Sequence, residues 1–161
     1  MNVLVPMSES EYLAYVEEAV PAYAADKVAS GHWQESEALE RSRREHVQLL
    51  PQGLATPDNH LYTVREPATQ AAVGVLWIAV QDRAGQRIAY VFDVGIEPEH
   101  QRRGHATRAF MALEDVVRSL GLCGVALHVF GHNVAAQALY ASLGYRPTNI
   151  NMFKAVASKE A

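Results

Sequence analysis

Cysteine is nearly absent: Cys123 is the single one in 161 residues. It cannot close an internal disulfide, which fits a reducing cytoplasm, and between Leu122 and the apolar run after Gly124 it reads as a plain buried thiol rather than a nucleophile. No apolar run approaches the ~20 residues of a membrane-spanning helix. The start, Met1-Asn2-Val3-Leu4-Val5-Pro6, lacks a basic region followed by a long apolar core, so no signal peptide is expected. No G-x-x-x-x-G-K-[ST] occurs, which argues against a nucleotide-hydrolysing loop. His128 and His132 do not share a helix face and no carboxylate joins them at ligand spacing, so no metal site is expected. Repeats, linkers and low-complexity segments are lacking too. With a net charge of −4, the chain gives no support to nucleic-acid binding.

What is present is enough apolar residue, 49%, for a full core, and we expect one domain over residues 1–161. Charge is uneven. Residues 1–50 carry four Lys/Arg against nine Asp/Glu, whereas residues 101–161 carry seven against three. A basic C-terminal part suits a phosphate-bearing ligand, and an acidic remainder can attract an amine; solvated faces would look the same.

Asn2 to Pro6 predicts an edge strand. Ser8 and Glu11 fit a capping box, followed by a helical stripe of Leu13, Val16, Val20 and Tyr23 that Pro21 should kink or interrupt near Val20. A second helix is predicted from Glu35 to Leu50, with Ala38, Leu39, His46, Leu49 and Leu50 inward. Strands are predicted at 60–65, 72–81 and 88–96, joined by short turns into an antiparallel meander. A helix from Gly104 to Leu120 ends at Gly121, with Ala106, Phe110, Leu113, Val117 and Leu120 on one face. A strand at 124–130 completes a β-α-β crossover. Asn133 caps a last helix that Gly144 closes, and Tyr145 to Ala155 has strand character. The pattern is a mixed α/β domain with helices on both faces of the sheet.

Between the strand at 88–96 and the next helix stands Glu97-Pro98-Glu99-His100-Gln101-Arg102-Arg103-Gly104-His105-Ala106-Thr107. Unpaired amides and the positive end of the helix dipole meet there, making an anion site that we read as holding a pyrophosphate.

Gln101-Arg102-Arg103-Gly104-His105-Ala106 matches the Q/R-x-x-G-x-G/A signature of the GCN5-related N-acetyltransferases. Leu127-His128-Val129, then Asn133, Ala136, Leu139-Tyr140 and Leu143-Gly144-Tyr145, resemble that family's second signature region. The likeness runs from about Thr63 to Lys154. His105 departs from the usual apolar residue and Ala106 from the frequent glycine. The first 50 residues share only the presence of two helices.

The resemblance implies a GNAT-like acyl-CoA N-acyltransferase fold, a mostly antiparallel sheet with a splayed parallel pair at 88–96 and 124–130. Acceptor-side helices would occupy about 8–50 and a CoA-binding core about 60–155. It implies acetyl-CoA as acyl donor, with no metal. Val94 and Ile96 would bond the pantetheine arm through their backbone. The amides from Arg102 to Thr107, after Gln101, would cradle the pyrophosphate, with Asn133 and Tyr140 also at the cofactor. Tyr140 stands where the family places its general acid; a helix tyrosine merely packed there is the alternative. His128 occupies a strand position where relatives often carry a glutamate base, and Asp93 and Glu97 are its rivals. Asp93, inside an otherwise apolar strand, needs a reason: fixing the splay, or holding the acceptor amine. Tyr12, Tyr15, Tyr23 and Trp33 either line the acceptor pocket or, as aromatics more often do, form core.

The expected activity is transfer of acetyl from acetyl-CoA to a primary amine of a small molecule or peptide, in the cytoplasm, with neither nucleic acid nor membrane as partner. The alternatives are a longer acyl donor and a non-catalytic acyl-CoA-binding module. A two-fold homodimer is the commonest default, and the sequence leaves it open.

Overall fold

The computed structural model describes residues 2–159, which divide into a body ending at His128 and a C-terminal unit from Val129. The body holds a five-stranded sheet in the order β1 (Leu4–Pro6), β2 (Asn59–Arg65), β3 (Ala72–Arg83), β4 (Gln86–Ile96) and β5 (Val125–Leu127). The first three pairings are antiparallel and the last is parallel. The meander, the crossover and the mixed α/β class are as predicted.

Helix α1 (Glu9–Ala29) starts at the expected capping box, with the Ser8 hydroxyl accepting from the Glu11 amide and the Glu11 carboxylate from the Ser8 amide. The same carboxylate accepts from Thr63 Oγ1 at 3.0 Å and Arg65 Nη2 at 2.8 Å, which ties the start of the helix to β2. Pro21 does not interrupt α1. A mid-helix proline costs about 3 kcal/mol. Burial of Val20 recovers about 1.5–3 kcal/mol, and the buried Ser42 hydroxyl, donating to the Val20 carbonyl at 2.7 Å, adds a further bond there. Tertiary packing therefore offsets the break. The buried stripe is also displaced: Tyr15, Val20 and Ala24 are inside, while Leu13 is exposed.

Helix α2 (Glu35–Leu49) buries Ala38 and Ser42, leaving Leu39 and Leu49 largely exposed. Tyr12, Tyr15 and Val16 of α1 pack with Leu61, Val75, Trp77 and Phe92 on one face of the sheet. Leu76 and Ile78 alternate with Trp77, point to the other face and are fully buried. Helix α3 (His105–Ser119) covers that face, burying Ala109, Phe110, Leu113 and Val117. Ala106 is only half-buried and Leu120 is exposed, and Gly121 ends the helix at φ 70° as predicted.

The C-terminal unit has helix α4 (Val134–Ser142), capped by Asn133 Oδ1 accepting from the Ala136 amide at 3.2 Å and followed by Gly144 at φ 93°. Residues 145–155 form no strand, contrary to the strand character predicted for them. A strand needs a ladder partner, and within its unit this segment has only a helix beside it in sequence.

Candidate active site

The site is organised by one irregularity in β4. Asp93 lies opposite Trp77 and Val91 opposite Ile78, so Phe92 is an extra residue, a β-bulge. Strict alternation would send Phe92 and Asp93 to opposite faces. Instead the Phe92 ring stacks on Trp77 at 4.8 Å, and the Asp93 carboxylate accepts from the Tyr15 hydroxyl of α1 at 2.6 Å. Both residues thus face the N-terminal helices.

The bulge also limits the parallel pair. Register runs Ala89↔Val125, Tyr90↔Ala126, Val91↔Leu127 and stops where Phe92 diverts the strand. β4 continues to Ile96 with β3 alone beside it. The Glu97 amide donates to the Val73 carbonyl at 2.8 Å, which sets the phase of that ladder. Val94 and Ile96 are then the residues whose main-chain groups point away from β3. The Ile96 carbonyl is taken by Gln101 Nε2 at 2.9 Å, so the Gln101 side chain braces the following loop.

In that loop Arg102 (φ 62°) and Gly104 (φ 80°) are left-handed, and Gly104 stands at the α3 N-terminus with no side-chain cap. The first amide to find an intrahelical carbonyl is Arg108, on Gly104 at 3.0 Å. The amides of His105, Ala106 and Thr107 point out of the helix start. A side chain at Gly104 would meet Arg108 Nη1 at 3.1 Å. Arg102 and Arg103 are exposed, whereas His105 is buried. Arg108 Nη2 donates to His105 Nδ1 at 2.8 Å, so that nitrogen carries no proton. Burial, then the Arg108 charge, pushes His105 below the usual histidine range. Beside the loop lies a cleft of about 470 Å³ whose lining includes Glu66, Thr69, His100, Arg103 and Arg108.

On the helix side, Asp93 sits in an aromatic setting. Burial raises its pKa, opposed by the Tyr15 hydroxyl, the Val94 amide and the His46 charge. Tyr15 is itself pushed well above the usual tyrosine range, by burial first and then by Asp93. Its proton stays on oxygen, so it donates and the carboxylate accepts. His46 packs between Tyr23 (6.0 Å) and Trp77 (6.1 Å), with Nδ1 3.1 Å from the Ser42 carbonyl. A carbonyl only accepts, so Nδ1 donates to it.

Among the other predicted site residues, His128 is exposed and lies just past β5, because the pairing that would have kept it in a strand ends at Leu127. Glu97 is exposed at the head of the Pro98–His100 turn. Tyr140 lies on α4, half-buried, with its ring 5.8 Å from Tyr145. Cys123 is exposed, its Sγ 3.6 Å from Gln86 Oε1, correcting the buried thiol. Of the four aromatics, Tyr15 and Trp33 are buried in core clusters; Tyr12 is partly buried against one of them, and Tyr23 is 37% exposed. The pairing of Tyr15 with Asp93 has no signature in sequence beyond the oddity of an aspartate in an apolar strand. Among the described residues no group of His, Cys, Asp and Glu is placed to hold a metal ion.

The family model described as Acetyltransferase (GNAT) family matches residues 23–145. YycN of Bacillus subtilis (strain 168), described as an uncharacterized N-acetyltransferase, is 34% identical over 94% of this chain and 97% of its own length. YdgE of the same organism, also described as an uncharacterized N-acetyltransferase, is 31% identical over 92% of this chain and 94% of its own. The crystal structure of YycN superposes with a TM-score of 0.88, covering 96% of this chain and 98% of that one.

Proposed function

The chain belongs to the acetyltransferase (GNAT) family, and from that premise we propose that it passes the acetyl group of acetyl-CoA directly to a primary amine of a small molecule or peptide, in a ternary complex. Enzymes of this family use acetyl-CoA as donor.

The observation that carries the reading is the end of the parallel ladder at Val91↔Leu127. It leaves the outward Val94 carbonyl and Ile96 amide, the main-chain groups there that Asp93 and Gln101 do not take, to pair with the amides of a pantetheine arm. The amides of residues 102–107 then meet the pyrophosphate at the α3 N-terminus, where a left-handed glycine leaves room and the helix dipole favours anions. The side chains of Arg102 and Arg103 add charge nearby; the fit rests on backbone.

In the reaction the amine nitrogen forms a bond to the acetyl carbonyl carbon as the carbon–sulfur bond breaks. The ammonium proton must go to a base, and the departing thiolate must take one from an acid. We assign the acid to Tyr140 and the base to Asp93, with His128 the second candidate. A desolvated carboxylate with raised pKa is better matched to an amine proton near neutrality than an exposed one. The Tyr15 hydroxyl orients it. The aromatic and acidic side chains around Asp93 also suit a cationic acceptor.

The test is turnover. The pure protein, acetyl-CoA and a panel of amines and peptide N-termini should release free thiol, and Asp93→Asn should abolish most of it. Tight acetyl-CoA binding with no turnover on any amine would overturn the catalytic reading.

A further inference from the structure

The cleft beside the α3 N-terminus is lined by the body alone, and its charges do not close on one another. One wall is the turn between β2 and β3, with Glu66 and Thr69; the other is the start of α3, with Arg103, His105 and Arg108. Its volume, about 470 Å³, lies within the ~300–1,000 Å³ of small-molecule sites. Opposite charges lining one cleft attract, and an ion pair across it is the ordinary outcome. Among the described residues neither arginine forms one, with Glu66 or with any other carboxylate.

Each wall is held back by its own contacts. The Glu66 carboxylate accepts from the Thr69 amide at 3.0 Å and from the Thr69 hydroxyl. That hydroxyl oxygen also accepts from the Ala71 amide at 3.2 Å, inside a turn closed by the Glu66 amide on the Ala71 carbonyl at 2.9 Å. The Thr69 donors hold Glu66 below the usual carboxylate range, so it is ionised at neutral pH. Opposite, Arg108 Nη2 donates to the Arg103 carbonyl at 3.0 Å and to His105 Nδ1 at 2.8 Å. His105 is 5% exposed. With Nδ1 accepting, its ring proton is on Nε2. Arg108 Nε is buried with no hydrogen-bond partner among the described residues. A guanidinium donor left in that state points to a bound group that the protein itself does not supply.

The two walls therefore ask for a ligand with two ends. A phosphate would meet Glu66 as a like charge, and a simple amine would meet two guanidiniums. A molecule with a carboxylate at one end and an ammonium at the other satisfies both walls. The cleft is also separate from the slot beside β5. Its strand side is Ala71 and Val73, at the start of β3, which borders β4 on the edge away from β5. Neither Val94, Ile96 nor Gly104 lines it. We propose that this cleft binds a small zwitterion, an amino acid with free amino and carboxylate groups, its carboxylate on Arg108 and Arg103 and its ammonium on Glu66.

The probes are the twenty common L-amino acids, titrated one at a time into the full-length protein with and without saturating coenzyme A, followed by nuclear magnetic resonance. At least one should shift the Thr69 amide and the His105 ring with a dissociation constant of about 1 mM or tighter, and coenzyme A should not displace it. Blocking either end of that amino acid, as its N-acetyl derivative or its carboxamide, should weaken binding about tenfold or more, as should Glu66→Gln, the loss of one charge-assisted contact. Glu66 is on an exposed turn, so that variant should keep the wild-type fold; should it misfold, the two blocked ligands on the wild type decide. No shift with any of the twenty overturns the proposal. So does equal binding of the N-acetyl derivative, which makes the cleft a plain anion site, and so does displacement by coenzyme A, which makes it part of the cofactor's site. Shifts confined to Tyr15 and its neighbours mean that the amino acid is an acceptor and overturn it as well.

Discussion

Tyr15→Phe removes one oxygen, and its effect should depend on pH in a direction the geometry dictates. The Tyr15 hydroxyl donates to Asp93 at 2.6 Å in a part-buried setting. A hydrogen bond to a charged group contributes about 1.5–3 kcal/mol and one between neutral groups about 0.5–1.5 kcal/mol. Where Asp93 is ionised, the variant should therefore lose about 1.5–3 kcal/mol, or about 4–9 °C in melting temperature for a chain of this size. Where Asp93 is protonated the loss should fall to about 1 kcal/mol. The sign follows from linkage. Burial already raises the folded pKa of Asp93, so its ionisation opposes folding as pH rises through that value. Deleting the donor raises the pKa further, because the hydroxyl had favoured the charged form. The penalty is thus small at low pH and grows above the folded pKa. Denaturant melts of wild type and variant from pH 4 to pH 8 measure it, and the pH–rate profile should move to higher pH. A penalty equal at both ends would refute an ionised Asp93 as the acceptor of this bond. Asp93→Asn in the Tyr15→Phe background should then cost no more than the neutral bond.

Tyr140→Phe should lower kcat by about 10²–10⁴, the range of general acid–base catalysis, with little change in acetyl-CoA affinity; an unchanged rate removes it as the acid. Gly104→Val places a branched side chain at φ 80° against Arg108, and calorimetry should show acetyl-CoA affinity reduced about tenfold or more; normal affinity would sink the cradle assignment. Gly74→Ala would bring a methyl group to 2.2 Å from the Gly95 carbonyl, beside the Ile96 main chain. It should fail to fold or melt more than about 10 °C lower, at several kcal/mol of strain, and a wild-type melting curve would show that the two strands can part there without cost.

The elements most legible in the sequence are those with local signals. Ser8 with Glu11, Gly121 and Gly144 marked helix ends correctly because caps are made by residues within one turn of each other. The meander was legible from runs of β-branched and aromatic residues between turns. Pro21 misled because its local cost was outweighed by packing around Val20 and Ser42, and Leu13 because Tyr12, Tyr15 and Val16 make the face of α1 that meets the sheet. His128 misled because an apolar run says nothing of where its partner strand turns aside.

By itself the sequence determined the order of elements, the glycine-bearing turn at an α3 N-terminus and the oddity of Asp93, all set by contacts between near neighbours. Only the tertiary structure decided that Phe92 is an extra residue. From that one bulge follow the short β5, the outward main chain of Val94 and Ile96, and the meeting of Asp93 with Tyr15, 78 positions away. Strand register depends on the partner across the ladder, and no window along one strand contains it.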